Sequence, residues 1–132
     1  MSQENIRTFK RGTAAYNRGD WEAALATMDP NVEFDLTRVA PDGKTYRGYE
    51  GVERFWLMLR DVFGELQIGV EEIIDGGDTL VTRVRLRSTG RASGAMTEDV
   101  LYQNITIRQD KAVRAQFFRD RAEALEAAGL SE

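Results

Sequence analysis

The chain has 132 residues, 42% of them hydrophobic and 30% charged, with 18 basic against 22 acidic side chains and a net charge of −4. That balance fits one globular domain, residues 1–132, with one core; it excludes disorder and fibrous repeats, and the charge disfavours nucleic acid as a partner. Cysteine and histidine are both absent, which removes disulfides, thiolate nucleophiles, histidine triads and histidine- or cysteine-ligated metals. Proton transfer would have to rest on a carboxylate, tyrosine, lysine or bound water, and neither a metal nor a cofactor is implied. Met1 to Lys10 offers no apolar run for a secretion signal, and no stretch is apolar for long enough to cross a membrane, so a cytoplasmic protein without membrane contact is expected.

From Asn5 to Asn17 the positions Ile6, Phe9, Thr13 and Tyr16 fall on one face of a helix that Gly19 stops. Asp20 is placed to cap a second, short helix in which Trp21, Ala24, Leu25 and Met28 form a stripe ending before Pro30. The period then becomes two: Val32, Phe34 and Leu36 alternate with Glu33, Asp35 and Thr37, which predicts a strand with one buried face. A turn over Pro41-Asp42-Gly43-Lys44 follows. Gly48 and Gly51 flank the start of a third helix, whose broad stripe of Val52, Phe55, Trp56, Leu59, Val62 and Phe63 suits packing on a sheet before Gly64 ends it.

Four strands then form an antiparallel meander: Leu66 to Ile74, Thr79 to Ser88, Met96 to Arg108 and Ala112 to Arg119. The first two are joined by Asp75-Gly76-Gly77-Asp78, whose central glycines suit positive φ, the next two by a looser Gly90-to-Gly94 connection, and the last two by a Gln109-Asp110 turn. Asp120 with Glu123 has capping-box spacing for a final helix, and Gly129-Leu130 has the form of a Schellman ending. The fold class is therefore α+β, a curved sheet packed on three helices with a short C-terminal helix.

This order, with the segments Tyr16 to Trp21, Asp29 to Phe34, Gly48 to Phe55 and Asp120 to Leu125, resembles the nuclear transport factor 2-like superfamily, and within it the SnoaL-like group of polyketide cyclases, ketosteroid isomerase and limonene-epoxide hydrolase. The resemblance covers essentially the whole chain and rests on structural signatures, none of them catalytic. It implies a cone, a cystatin-like α+β barrel of mixed sheet, whose open end receives a small hydrophobic organic ligand. It also implies a homodimer formed through the outer sheet face. Carried over residue by residue, the isomerase tyrosine falls at Gly12, its later-strand acid at Gln103 and its base at Asp35 or Leu36, so at least two of three parts are missing. The hydrolase's last-strand aspartate falls at Phe117, which leaves that site unsupported too, although Arg119 would face the same way. A cyclase-like role asks only for a carboxylate beside an apolar cavity.

Asp99 is the leading catalytic candidate. Strand parity sets it on one face with Leu101, Gln103, Ile105 and Ile107, where it would be desolvated and inclined to hold its proton; the plainer alternative has it reach solvent or pair with Arg119 or Arg83. Asp35 is a second candidate, with a solvated or interface carboxylate as its alternative, because Phe34 and Leu36 take the apolar face. Candidate ligand-binding residues are Tyr16, Phe34, Phe55, Leu59, Leu101, Gln103, Ala115, Phe117 and Arg119, with plain core as the alternative for the helix aromatics. Arg83, Arg85 and Arg87 read either as an anion site or as a row facing Glu71 or Glu98. The functional expectation is an isomerase, cyclase or hydrolase acting by carboxylate chemistry on a hydrophobic compound, or else a non-catalytic ligand-binding or protein-interaction module.

Overall fold

The computed structural model describes residues 2–39, 43–89 and 96–130. Pro41-Asp42 of the first expected turn and the whole Gly90-to-Gly94 connection lie outside the described residues. Helix α1 (Ser2–Asn17) turns Ile6, Phe9, Ala15 and Tyr16 into the core, and Gly19, at φ +80, gives the left-handed step that ends it. Asp20 Oδ1 accepts a hydrogen bond from Ala23 N at 3.1 Å, so the cap of α2 (Trp21–Leu25) forms as its sequence predicts.

The expected reach of α2 through Met28 is overturned, because Met28 opens strand β1 (Met28–Asp35). Thr27 does the switching. Its hydroxyl donates to Ala24 O at 2.7 Å, satisfying a terminal helix carbonyl, while its own carbonyl accepts from Ala112 N at 3.0 Å and draws the chain onto the sheet. Pro30, with no N–H to give, sits in the register break between Met28 and Glu33, where a ladder bond is not demanded.

Strand β2 (Thr45–Arg47), absent from the sequence reading, pairs antiparallel with β1 through Phe34 and Tyr46. Helix α3 (Gly48–Phe63) buries Val52, Phe55 and Trp56 and stops where Gly64, at φ +81, donates to Arg60 O. Val62, expected in its buried stripe, is instead 55% exposed; spacing fixes the side of a helix but not where its cover ends. Strands β3 (Leu66–Asp75), β4 (Thr79–Thr89), β5 (Met96–Arg108) and β6 (Lys111–Phe118) make the expected meander. In the β3–β4 turn only Gly77 takes positive φ, while Gly76 donates its N–H to Thr79 O.

The six strands run in the order β2-β1-β6-β5-β4-β3, antiparallel except where β1 meets β6, and the two end strands do not pair, so the sheet is curled but open. Strand parity sorts its two faces. Leu80, Thr82 and Val84 look inward toward α1, α2 and α3, together with Val32, Phe34, Ile105, Ile107, Ala115 and Phe117. Val81 and Phe118 look outward, where α4 (Arg121–Ala127) covers them with Ala124 and Leu125. Full burial of Phe118 and Leu125 is worth about 1.5–3 kcal/mol each, enough to hold so short a helix. Its Schellman ending forms, with Leu130 N on Leu125 O at 2.8 Å and Gly129 N on Glu126 O at 3.0 Å. Its capping box does not: Asp120 makes no side-chain cap bond, and Glu123 is held instead by Arg38 at 3.2 Å.

Candidate functional site

Between the concave face and helices α1 and α3 lies a cavity of about 640 Å³. Large side chains meet one another around it. Phe34, Phe55 and Phe117 form a triangle with ring centroids 5.7–6.2 Å apart, and Tyr16 leans on Trp56 at 5.2 Å. Small residues between them, Gly12, Thr13, Ala112 and Ala115, fill none of the middle. Gly12 has a second reason to be small, since a Cβ there would sit 2.7 Å from Thr27 Oγ1, the hydroxyl committed to ending α2. All nine candidate ligand-binding residues, Tyr16, Phe34, Phe55, Leu59, Leu101, Gln103, Ala115, Phe117 and Arg119, line this space, as does Asp99.

Asp99 is the sole carboxylate among the described lining residues. Its expected desolvation is overturned: the side chain is 61% exposed and pairs with Arg119 Nη1 at 3.3 Å. The alternative pairing with Arg119 is therefore the one that forms, whereas Arg83 bonds elsewhere. The physical reason is position along the strand. Asp99 stands opposite half-buried Leu86 near the start of β5, at the cavity mouth, whereas Ile105 and Ile107 on the same face are deep in the core. Arg119 also donates from Nε to Val39 O at 3.2 Å, and Lys44 joins the mouth with its ammonium 5.2 Å from the Tyr46 ring centroid.

Farther in, Gln103 stands between Thr82 and Phe117 in the ladder. Fully buried Thr82 donates its hydroxyl to Gln103 Oε1 at 3.0 Å, which fixes the carboxamide and leaves Nε2 without a protein partner among the described residues. Thr82 is a positioning residue that the sequence reading missed; the signal is a hydroxyl within an otherwise aliphatic inward row. At the α1 end, burial pushes the Tyr16 phenol above its ordinary range, partly offset by the charge of Arg60.

Asp35 does not join this site. It lies on the outer face, and of the two alternatives to a catalytic role, a solvated or an interface carboxylate, the solvated one is corrected, because it is only 8% exposed. Oδ1 accepts from Thr37 N at 2.9 Å and Thr37 Oγ1 at 2.6 Å, and Oδ2 accepts from Arg114 Nη2 and Gln116 Nε2, each at 3.1 Å. Burial alone would raise its proton affinity, but these bonds and the Arg114 charge outweigh it and hold the carboxyl below the usual range. The arginine row resolves to its alternative: Arg83 and Arg85 hold Glu71 at 2.9 and 2.7 Å, and Arg85 and Arg87 hold Glu98 at 3.4 and 2.9 Å. Among the described residues no three acidic side chains gather as a metal site, and no helix is long and apolar enough to cross a membrane.

A curled, open sheet wrapped on helices around a cavity is the architecture that the resemblance to the nuclear transport factor 2-like superfamily implies. Residues 9–115 match the model of the SnoaL-like domain, and the chain belongs to that family. Its fold is similar to that of TerC, co-crystallised with polyporic acid, at TM-score 0.80 and 23% identity over 96% of this chain and 98% of TerC. It is also similar to a protein of Jannaschia sp. CCS1 described as a SnoaL-like polyketide cyclase (TM-score 0.73, 20% identity, 99% and 95% covered). A cystatin-fold protein of Novosphingobium aromaticivorans matches at TM-score 0.72 with 19% identity, 90% and 99% covered. Identities of this size carry the fold alone. No curated protein matches the sequence.

Proposed function

We propose that the chain takes a small hydrophobic organic compound into the cavity and acts on it by carboxylate acid/base chemistry, as an isomerase, cyclase or hydrolase without cofactor. The observation that carries this reading is one carboxylate, Asp99, at the mouth of a cavity of about 640 Å³ walled by Phe34, Phe55 and Phe117. That volume lies within the range of about 300–1,000 Å³ typical of sites for compact organic ligands. On this reading Asp99 exchanges a proton with the compound, while the free Nε2 of Gln103 donates to a ligand oxygen farther in. Asp35, with both oxygens engaged on the far face, has no part in it.

The fold-level likeness to TerC and to the polyketide-cyclase-like protein supports small-molecule chemistry as the class. A non-catalytic binding module is the second reading, favoured by the exposure of Asp99, which deprives it of the dry setting that tunes most catalytic carboxylates. The same proposal places the protein in the cytoplasm as a homodimer joined through the outer sheet face, whose paired arginine and glutamate rows are of mixed sign; light scattering of the purified chain tests the dimer. For the activity, a compound retained by the wild type is followed with Asp99→Asn. Loss of turnover with affinity for neutral compounds kept supports catalysis, unchanged turnover removes Asp99 from it, and affinity without turnover in the wild type selects the binding reading. Leu101→Trp, which fills the cavity, abolishes both.

A further inference from the structure

The cavity mouth has a charge pattern that an acid/base role does not require. Among the described residues, two cations, Arg119 and Lys44, line it against one carboxylate, Asp99, an excess of positive charge on a chain whose overall charge is −4. Arg119 is aimed by its backbone contact, since Nε donates to Val39 O at 3.2 Å. Its bond to Asp99 uses Nη1 alone at 3.3 Å, and no partner among the described residues takes Nη2. Both members of that pair are about three-fifths exposed, 62% and 61%, and an exposed single-contact pair contributes little. An incoming carboxylate can take both guanidinium nitrogens in the side-by-side geometry that Asp99 does not achieve.

Resting on the small-molecule reading above, we infer that the mouth is an anion subsite: the ligand is an amphiphilic carboxylate, its apolar body inside and its carboxylate on Arg119 and Lys44, with Asp99 as the counter-ion it displaces. The inside of the cavity suits the apolar part, because beyond the rim the lining is dominated by Phe34, Leu101, Ile105 and Phe117. Lys44 needs no rearrangement to serve, being exposed, with its ammonium over the Tyr46 ring and no side-chain partner among the described residues that would have to be given up. Asp99 then has an effect opposite in sign to that of a ligand-binding group, because its removal frees Arg119.

The test is a titration by calorimetry with two probes of the same shape, 2-naphthoate and the neutral 2-naphthamide, at low salt and near neutral pH. The wild type is expected to hold naphthoate at least fivefold more tightly than naphthamide, with the preference shrinking as salt rises. Arg119→Gln erases the preference without weakening naphthamide, and Lys44→Gln reduces it. Asp99→Asn tightens naphthoate severalfold and leaves naphthamide unchanged. All three positions are exposed, and thermal unfolding checks that each variant folds. Equal binding of the two probes, or weaker naphthoate binding in Asp99→Asn, overturns the anion subsite while leaving the cavity reading standing; no binding of either probe removes the cavity reading and the subsite with it.

Discussion

Asp35 and Asp99 sit on strands of one sheet, yet their circumstances are opposite. Asp35, on the polar outer face, is nearly buried and accepts four hydrogen bonds from Thr37, Arg114 and Gln116. Asp99, on the apolar inner face, is largely exposed and rests on one arginine contact and its neighbour's N–H. The face of a strand therefore does not decide how deeply a carboxylate is buried; its position along the strand and the reach of neighbouring side chains do. Asp35 is built for stability, whereas Asp99 is left free to exchange partners.

The largest expected effect follows from breaking the tied carboxylate. Asp35→Ala should lower unfolding stability by about 2–3 kcal/mol, the cost of stranding several donors around a lost acceptor, as measured by urea denaturation. The same residue should govern acid lability. Its carboxyl is held below its ordinary value in the folded state, so its contribution is fully present above the unfolded value of about 3.9 and is lost as pH falls through the lower folded value. The stability difference between wild type and Asp35→Asn should therefore stay constant above about pH 5 and narrow at lower pH. Thr37→Val, which deletes one of the four bonds, should cost about 1 kcal/mol. Smallest of all, Asp99→Asn should change stability by less than about 0.5 kcal/mol, as for other exposed pairs; a loss near that of Asp35→Ala would erase the contrast.

Much of this was legible from residue order. The two-residue alternation in β4 and β5 separates Val84 and Leu101 from Arg83 and Arg85 because a pleated strand turns alternate side chains to opposite faces. The cap at Asp20 and the ending at Gly129-Leu130 were readable for a similar reason, since each needs only a few adjacent residues. What stayed hidden depends on distant partners. Thr45-Tyr46-Arg47 is too short to show a period, and it is a strand only because β1 lies alongside. Met28 keeps helical spacing with Leu25, but the pull of Ala112 on Thr27, 85 positions away in sequence, turns it into a strand. The exposure of Asp99 and the grip of Thr82 on Gln103 depend on where the sheet opens and which side chains meet across it, and neither is encoded in local pattern.

The contrast between a receptive inner face and a closed outer one is tested most directly by methyl-resolved NMR during titration with 2-naphthoate. Methyls of Leu59, Val84, Leu101 and Ile105, which border the cavity, are expected to shift in a saturable way, while those of Val81 on the outer sheet face and of Leu125 on α4, which pack in one cluster, stay still. Equal shifts on both faces, or shifts confined to the outer one, would contradict that contrast.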